Sequence, residues 1–176
     1  MPEFGFVVVS GPPGSGKTTL AKPLAERLGL ALLGKDIVKE ALMDALGAEA
    51  VDESRRIGGA AIAVLLALAR ANGRAVLEST WSSPQSLPEL SSLGGNVVEV
   101  FCDADPEVSR QRYLSRAGRR HPGHFDVDRL DEWALWQGLA ARPVGGNWPV
   151  VRVATASAVD IDALVDAIAA AAERSG

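Results

Sequence analysis

The sequence predicts an α/β protein, a five-stranded parallel sheet with helices on both faces, and three observations predict it. Short apolar or β-branched runs alternate with segments of helical periodicity from end to end, and parallel strands need covered, right-handed crossovers. The first such alternation is joined by Gly11-Pro12-Pro13-Gly14-Ser15-Gly16-Lys17-Thr18, a GxxxxGKT pattern that needs a strand before it and a helix after it. The composition, 47% hydrophobic and 23% charged over 176 residues, suits one globular domain spanning 1–176 with its own core.

The same composition argues against several classes of protein. A net charge of −4 supplies no basic face for counterion release, which argues against a nucleic-acid partner. The one cysteine, Cys102, cannot form an internal disulfide, so the cytoplasm is the expected compartment. Phe6 to Val9 is too short for a signal core or a membrane span, and the apolar stretch Ile57 to Ala69, flanked by Arg55, Arg56 and Arg70, reads as a buried helix.

Phe6-Val7-Val8-Val9 is the first strand, and Leu20, Leu24, Ala25 and Leu28 mark the first helix, closed by Gly29. Leu30 to Leu33 is the second strand. A helix follows through Ile37, Ala41, Leu42, Ala45 and Leu46 and stops at Gly47. From Asp52 to Ala71 the pattern predicts one long, mostly buried helix, then a strand over Arg74 to Ser79 and a loop at Ser82-Ser83-Pro84. A short helix over Gln85 to Leu93 leads to the strand Val97 to Phe101. Asp105 as N-cap and Pro106 at the first position open a helix to about Arg116. The stretch 117–127, with its glycines, proline and histidines, reads as a mobile lid. Asp128 to about Leu139 reads as a helix, Val150 to Val153 as the last strand, and Asp160 caps a final helix through Ile168.

The glycines of the GxxxxGKT loop let successive N–H groups converge on an anion at a helix N-terminus. Gly11, Pro13, Gly14, Ser15 and Gly16 form that cradle, Lys17 supplies a cation for the β and γ phosphates, and Thr18, with Thr19 beside it, begins the helix. The Thr18 hydroxyl suits the magnesium ion that accompanies ATP. Transfer of a phosphoryl group also needs an oriented acceptor, charge stabilisation and exclusion of water.

Asp36, at a strand end and a helix start, suits a general base for an acceptor hydroxyl, with a helix cap as the plainer reading. Arg116, Arg119 and Arg120 suit the migrating phosphoryl, or merely a solvated helix end. Glu78 suits magnesium held through water, or is a simple strand-end carboxylate. His121 and His124 are too few for a zinc site and fall to the lid or the substrate. Trp81, Trp133, Trp136 and Trp148 are many for a chain with one tyrosine; large rings are most often core, and Trp81 is the best placed to line an acceptor pocket.

With these residues in hand, the chain resembles the single-domain P-loop kinases, a group with shikimate and gluconate kinases, chloramphenicol phosphotransferase, zeta-type toxins and polynucleotide 5'-kinase. Lys35-Asp36-Ile37-Val38-Lys39-Glu40 matches the place where chloramphenicol and polynucleotide kinases keep their base, and Arg116 and Arg120 match the spacing of lid arginines. The resemblance implies strand order 2-3-1-4-5 and adenine bound near Arg112 and Thr155; Lys39, one helical turn beyond Asp36, suits contact with an acceptor phosphate. It departs from shikimate kinases in having Gly34 two residues before Asp36. The expected activity is transfer of the γ-phosphate of ATP to a small-molecule hydroxyl. A 5'-hydroxyl polynucleotide acceptor and a nucleotide switch acting through a protein partner are the alternatives.

Overall fold

A computed structural model of the chain describes residues 5–82 and 85–174. Its five strands are β1 (Phe6–Ser10), β2 (Leu32–Gly34), β3 (Ala75–Glu78), β4 (Val97–Asp103) and β5 (Val150–Ala154). All pairings are parallel, in the order β2-β3-β1-β4-β5. This is the order the resemblance implied.

Central β1 is buried along its whole length, and its period of two divides it between two cores. Val7 and Val9 pack with Leu20, Leu24 and Leu28 of α1 (Lys17–Leu28) and with Leu164, Val165 and Ile168 of α7 (Ile161–Glu173). Phe6 and Val8 face the other way, onto Leu65, Leu66 and Ala69 of α3 (Val51–Asn72) and Leu90 of α4 (Ser86–Ser91). A strand buried on both faces reads as a continuous apolar run, which is why Phe6 to Val9 shows no polar alternation.

Three further helices complete the fold. These are α2 (Lys35–Leu46), α5 (Pro106–Arg116) and α6 (Trp133–Leu139). Asp105 caps α5 through Oδ1, which accepts from the N–H groups of Glu107 and Val108 at 2.8 and 3.2 Å. Asp160 caps α7 by accepting from the Ala163 N–H.

Two expectations need correction. The long helix α3 is not mostly buried: Ser54, Ile57, Ala61 and Leu65 line one inward stripe, while Val64 and Leu68 stay exposed. An alanine- and leucine-rich segment hides this amphipathicity, because small apolar residues are cheap on a wet face. The single helix expected from Asp128 is divided into a 3-10 segment, Val127–Glu132, and α6. The 3-10 segment is itself kinked at Arg129 (φ −120°), whose guanidinium bonds to Glu132 Oε2 at 3.1 and 2.8 Å. Of the expected loop Ser82-Ser83-Pro84, the last two residues lie outside the described ones. Among the described residues no helix is long and apolar enough to cross a membrane.

Candidate active site

The GxxxxGKT loop leaves the carboxyl end of β1, where Val9 is in register with Glu78 of β3 and Val100 of β4. Gly14 (φ +80°) lies so close to α5 that a Cβ there would stand 2.1 Å from the Ser109 carbonyl oxygen. Gly16 (φ +90°) precedes α1 and offers it no side-chain cap. The first-turn N–H groups of α1 therefore face the loop with no cap to satisfy them, as an anion site requires.

Lys17 Nζ donates to the Pro12 carbonyl at 2.8 Å. Burial lowers its pKa to about 8, against the opposing pull of Glu78. A charge-bearing ligand would relieve that penalty. Ser15 Oγ and Arg116 Nε are buried without a hydrogen-bond partner, two more polar groups that suit phosphate oxygens. The Thr18 hydroxyl donates to Glu78 Oε1 at 3.4 Å, and burial raises the Glu78 pKa despite nearby Lys17. Thr18 and Glu78 fit magnesium, which takes few protein oxygens and completes its shell with water and phosphate.

On the other flank, the Thr155 hydroxyl donates to the Ser15 carbonyl at 2.6 Å, and Arg112 donates to the carbonyls of Thr155 and Ala156 at 3.0 and 3.4 Å. Of the two residues expected at the adenine side, Thr155 thus bonds to the loop directly and Arg112 is tied to it through Thr155.

Asp36 lies in the first turn of α2, two residues past the N-cap position held by Gly34. Its carboxylate accepts from Arg120 at 2.5 Å and lies 3.8 Å from Lys35 Nζ. Burial pushes its pKa up, but Lys35, Arg120, His124 and Lys17 outweigh this and hold it below the usual carboxylate value. A cleft of about 250 Å³ joins Lys17, Thr18, Asp36, Glu78, Arg112 and Arg116. Arg116, its pKa lowered by burial and by Arg120, and Arg120 both belong to this end of the molecule, whereas Arg119 is exposed. A larger hollow of about 450 Å³ beside Leu90, Asn96 and Trp148 lies at the opposite end of the sheet and has no charged lining.

Two sequence-predicted site residues sit elsewhere. Trp81 does not line the cleft: it is 1% exposed within the α3 core, with Nε1 donating to the Leu77 carbonyl at 3.4 Å. A ring that large gains more by burial than by facing water. Lys39 is 2% exposed and donates to Ser54 Oγ of α3 at 2.7 Å, so it stands behind the cleft and not in it. Burial and the neighbouring cations Lys35 and Arg129 lower its pKa to about 8.

Lys35, Ser79 and Thr80, which also line the cleft, were not anticipated; their position next to Asp36 and Glu78 was the available signal. Trp136 and Trp148 spend their indole N–H groups on Glu132 and Glu99 at 3.3 and 3.0 Å. No cluster of three or more metal-ligating side chains occurs among the described residues.

A family model described as an AAA domain matches residues 6–143, and the chain belongs to that family, with the fold of the small P-loop kinases. Among solved structures it is similar to a protein of Chloroflexus aurantiacus provisionally assigned as a kinase, at 31% identity and TM-score 0.82, covering 96% of this chain and 98% of that one. It shares its fold with a gluconokinase from Sinorhizobium meliloti (18% identity, TM-score 0.61, 97% and 92% covered). The same holds for the Mycobacterium tuberculosis APS kinase solved with AMPPNP and APS (18%, 0.62, 98% and 99%). A Mycobacterium tuberculosis protein of unassigned activity is 29% identical over 128 residues, 64% of this chain. The chain spans about a quarter of that relative's length, 26%.

Proposed function

We propose that the chain is an ATP-dependent phosphotransferase that phosphorylates a hydroxyl of a small molecule. The observation that carries this reading is that a carboxylate, Asp36, shares one cleft with Lys17 and Thr18 of the phosphate loop. A triphosphate-binding switch has no need of a carboxylate at that point. The modest size of the cleft favours a metabolite over a polynucleotide, and the gluconokinase and APS kinase with the same fold act as precedents in kind.

In this reading the loop N–H groups and Lys17 hold the β and γ phosphates, and Arg112 and Thr155 flank the base. Thr18, with Glu78 through water, would hold magnesium, which supplies charge neutralisation across the phosphates. The acceptor oxygen attacks the γ phosphorus in line. The bond to the β–γ bridging oxygen breaks, ADP leaves with that electron pair, and the acceptor's hydroxyl proton passes to Asp36. Arg116 and Arg120 neutralise the equatorial oxygens of the migrating group.

The test is Asp36→Asn with a panel of hydroxyl-bearing metabolites, following ADP release and, separately, nucleotide binding by calorimetry. Binding should persist while acceptor-dependent transfer falls by about 10²- to 10⁴-fold, the usual worth of a general base. Undiminished transfer would remove Asp36 from that role.

A further inference from the structure

The acidic residues Asp36, Glu40 and Asp44 recur every four residues along α2 and so form a stripe on one face of the helix. Each one meets the lid. Asp36 Oδ2 accepts from Arg120, Glu40 Oε1 from His124 Nε2 at 2.8 Å, and Asp44 Oδ1 from His121 Nε2 at 3.0 Å. His121 Nδ1 accepts from the Gly123 N–H at 3.1 Å, which leaves Nε2 as the protonated nitrogen facing Asp44.

The backbone between the two histidines is fitted to the same face. A Cβ at Gly123 would stand 2.7 Å from Met43 Sδ of α2, so the lid rests directly on the helix. Phe125, at the end of the Pro122–His124 turn, adopts φ +53°, a conformation that bulky residues take only when their surroundings enforce it. His124 is 4% exposed. Its Nε2 faces Glu40, and Arg120 Nη2 lies against the same ring, 3.3 Å from Nδ1 and 3.1 Å from Nε2. The other nitrogen of Arg120 reaches both oxygens of Asp126 at 3.2 Å.

Arg120 is thereby held from three sides, and its position depends on a histidine that is itself fixed by Glu40. We infer that Glu40 and His124 are positioning residues: they dock the lid on α2 and hold Arg120 against the Asp36 carboxylate at the border of the cleft. Arg120 Nη2 pairs with Asp36 Oδ2. With phosphates in place, the guanidinium exchanges that carboxylate for phosphoryl oxygens and frees Asp36 to accept a proton. This inference rests on the phosphotransferase reading for Arg120's second partner, but the docking of the lid stands apart from it.

The experiment compares Glu40→Leu with Glu40→Gln in the full chain, because an amide oxygen still accepts from His124 Nε2–H and a leucine cannot. Two readouts are taken: the rate of tryptic cleavage after the lid arginines without nucleotide, and kcat and KM for acceptor-free hydrolysis of ATP with magnesium. Glu40→Leu should speed lid cleavage by roughly fivefold or more, as local opening becomes easier. It should lower kcat about tenfold with KM nearly unchanged, the pattern of an interaction made in the transition state. Glu40→Gln should restore both. Lid cleavage unchanged in Glu40→Leu, or Gln as damaging as Leu, overturns the inference. So does a fall in kcat matched by a loss of thermal stability, which marks a merely structural residue. If the unaltered chain neither binds ATP nor transfers phosphate to any acceptor of the panel, the phosphotransferase reading fails while the tryptic comparison still decides the docking.

Discussion

Lys17 is the residue through which the proposed role of the loop is most directly tested. Its ammonium is buried, and its pKa sits near 8 where an ordinary lysine has 10.5. A bound triphosphate favours the charged form and raises that value. Below pH 8 the lysine is charged in both free and bound states, so affinity is flat. Above pH 8 the free protein must take up a proton to bind, and affinity should fall by up to about tenfold per pH unit, the limit for one linked proton. Titrating a fluorescent nucleotide between pH 7 and about 9.5 tests this; constant affinity over that range would remove Lys17 as the phosphate cation. At this scale the gathering of Lys17, Thr18 and Asp36 into one cleft was legible, because their places follow from neighbours in the chain. Trp81 and Lys39 were not, since a strand-end tryptophan or a helix lysine faces cleft or core according to what packs against it.

At the scale of elements, capping and periodicity placed most boundaries. Asp105 with Pro106 announced α5, and the structure shows the cap bonds at Glu107 and Val108. Because α5 carries Arg112 and Arg116 and leans its Ser109 carbonyl against Gly14, this cap supports the nucleotide side of the cleft. Asp105→Ala should cost about 1 kcal/mol, the usual worth of an N-cap. In a domain of this size that is a drop of about 2–4 °C in the thermal midpoint, while Asp105→Asn should match the parent. The kink at Arg129 was not legible. It depends on Glu132, which Arg129, Arg55 of α3 and Trp136 all address; hydrogen bonding to Arg129 first, and to Arg55, brings the Glu132 pKa down to about 2. Residues 3 and 77 positions apart in sequence share one carboxylate, and helical spacing carries no trace of the longer partnership.

For the whole molecule, the least anticipated residue is Glu99, a fully buried carboxyl in β4. It accepts from Ser10 Oγ at 2.5 Å, the Val144 N–H at 2.9 Å and Trp148 Nε1 at 3.0 Å. One side chain thus joins the end of β1, from which the phosphate loop departs, to the segment that leads into β5. Every donor points at an oxygen, so Glu99→Gln sets an amide N–H₂ against a donor. It should cost about 1–3 kcal/mol, the penalty for a buried polar group without a partner, read as a lower urea midpoint with unchanged slope. A stability equal to the parent would show that the Glu99 contacts are dispensable. Here the sequence offered only a charged residue within an apolar run.

What the sequence by itself determined is the local grammar: the alternation of strands and helices, the phosphate loop between β1 and α1, the caps, and Asp36 at the start of α2. These follow from backbone preferences and burial patterns that act within a few residues. Only the tertiary structure decided which side chains meet. It turned Trp81 inward, placed Lys39 against Ser54, set Glu99 beneath the loop before β5, and laid the lid histidines on the acidic stripe of α2. The reason is physical: such contacts join residues tens of positions apart, and their partners are fixed by how helices pack on a twisted sheet.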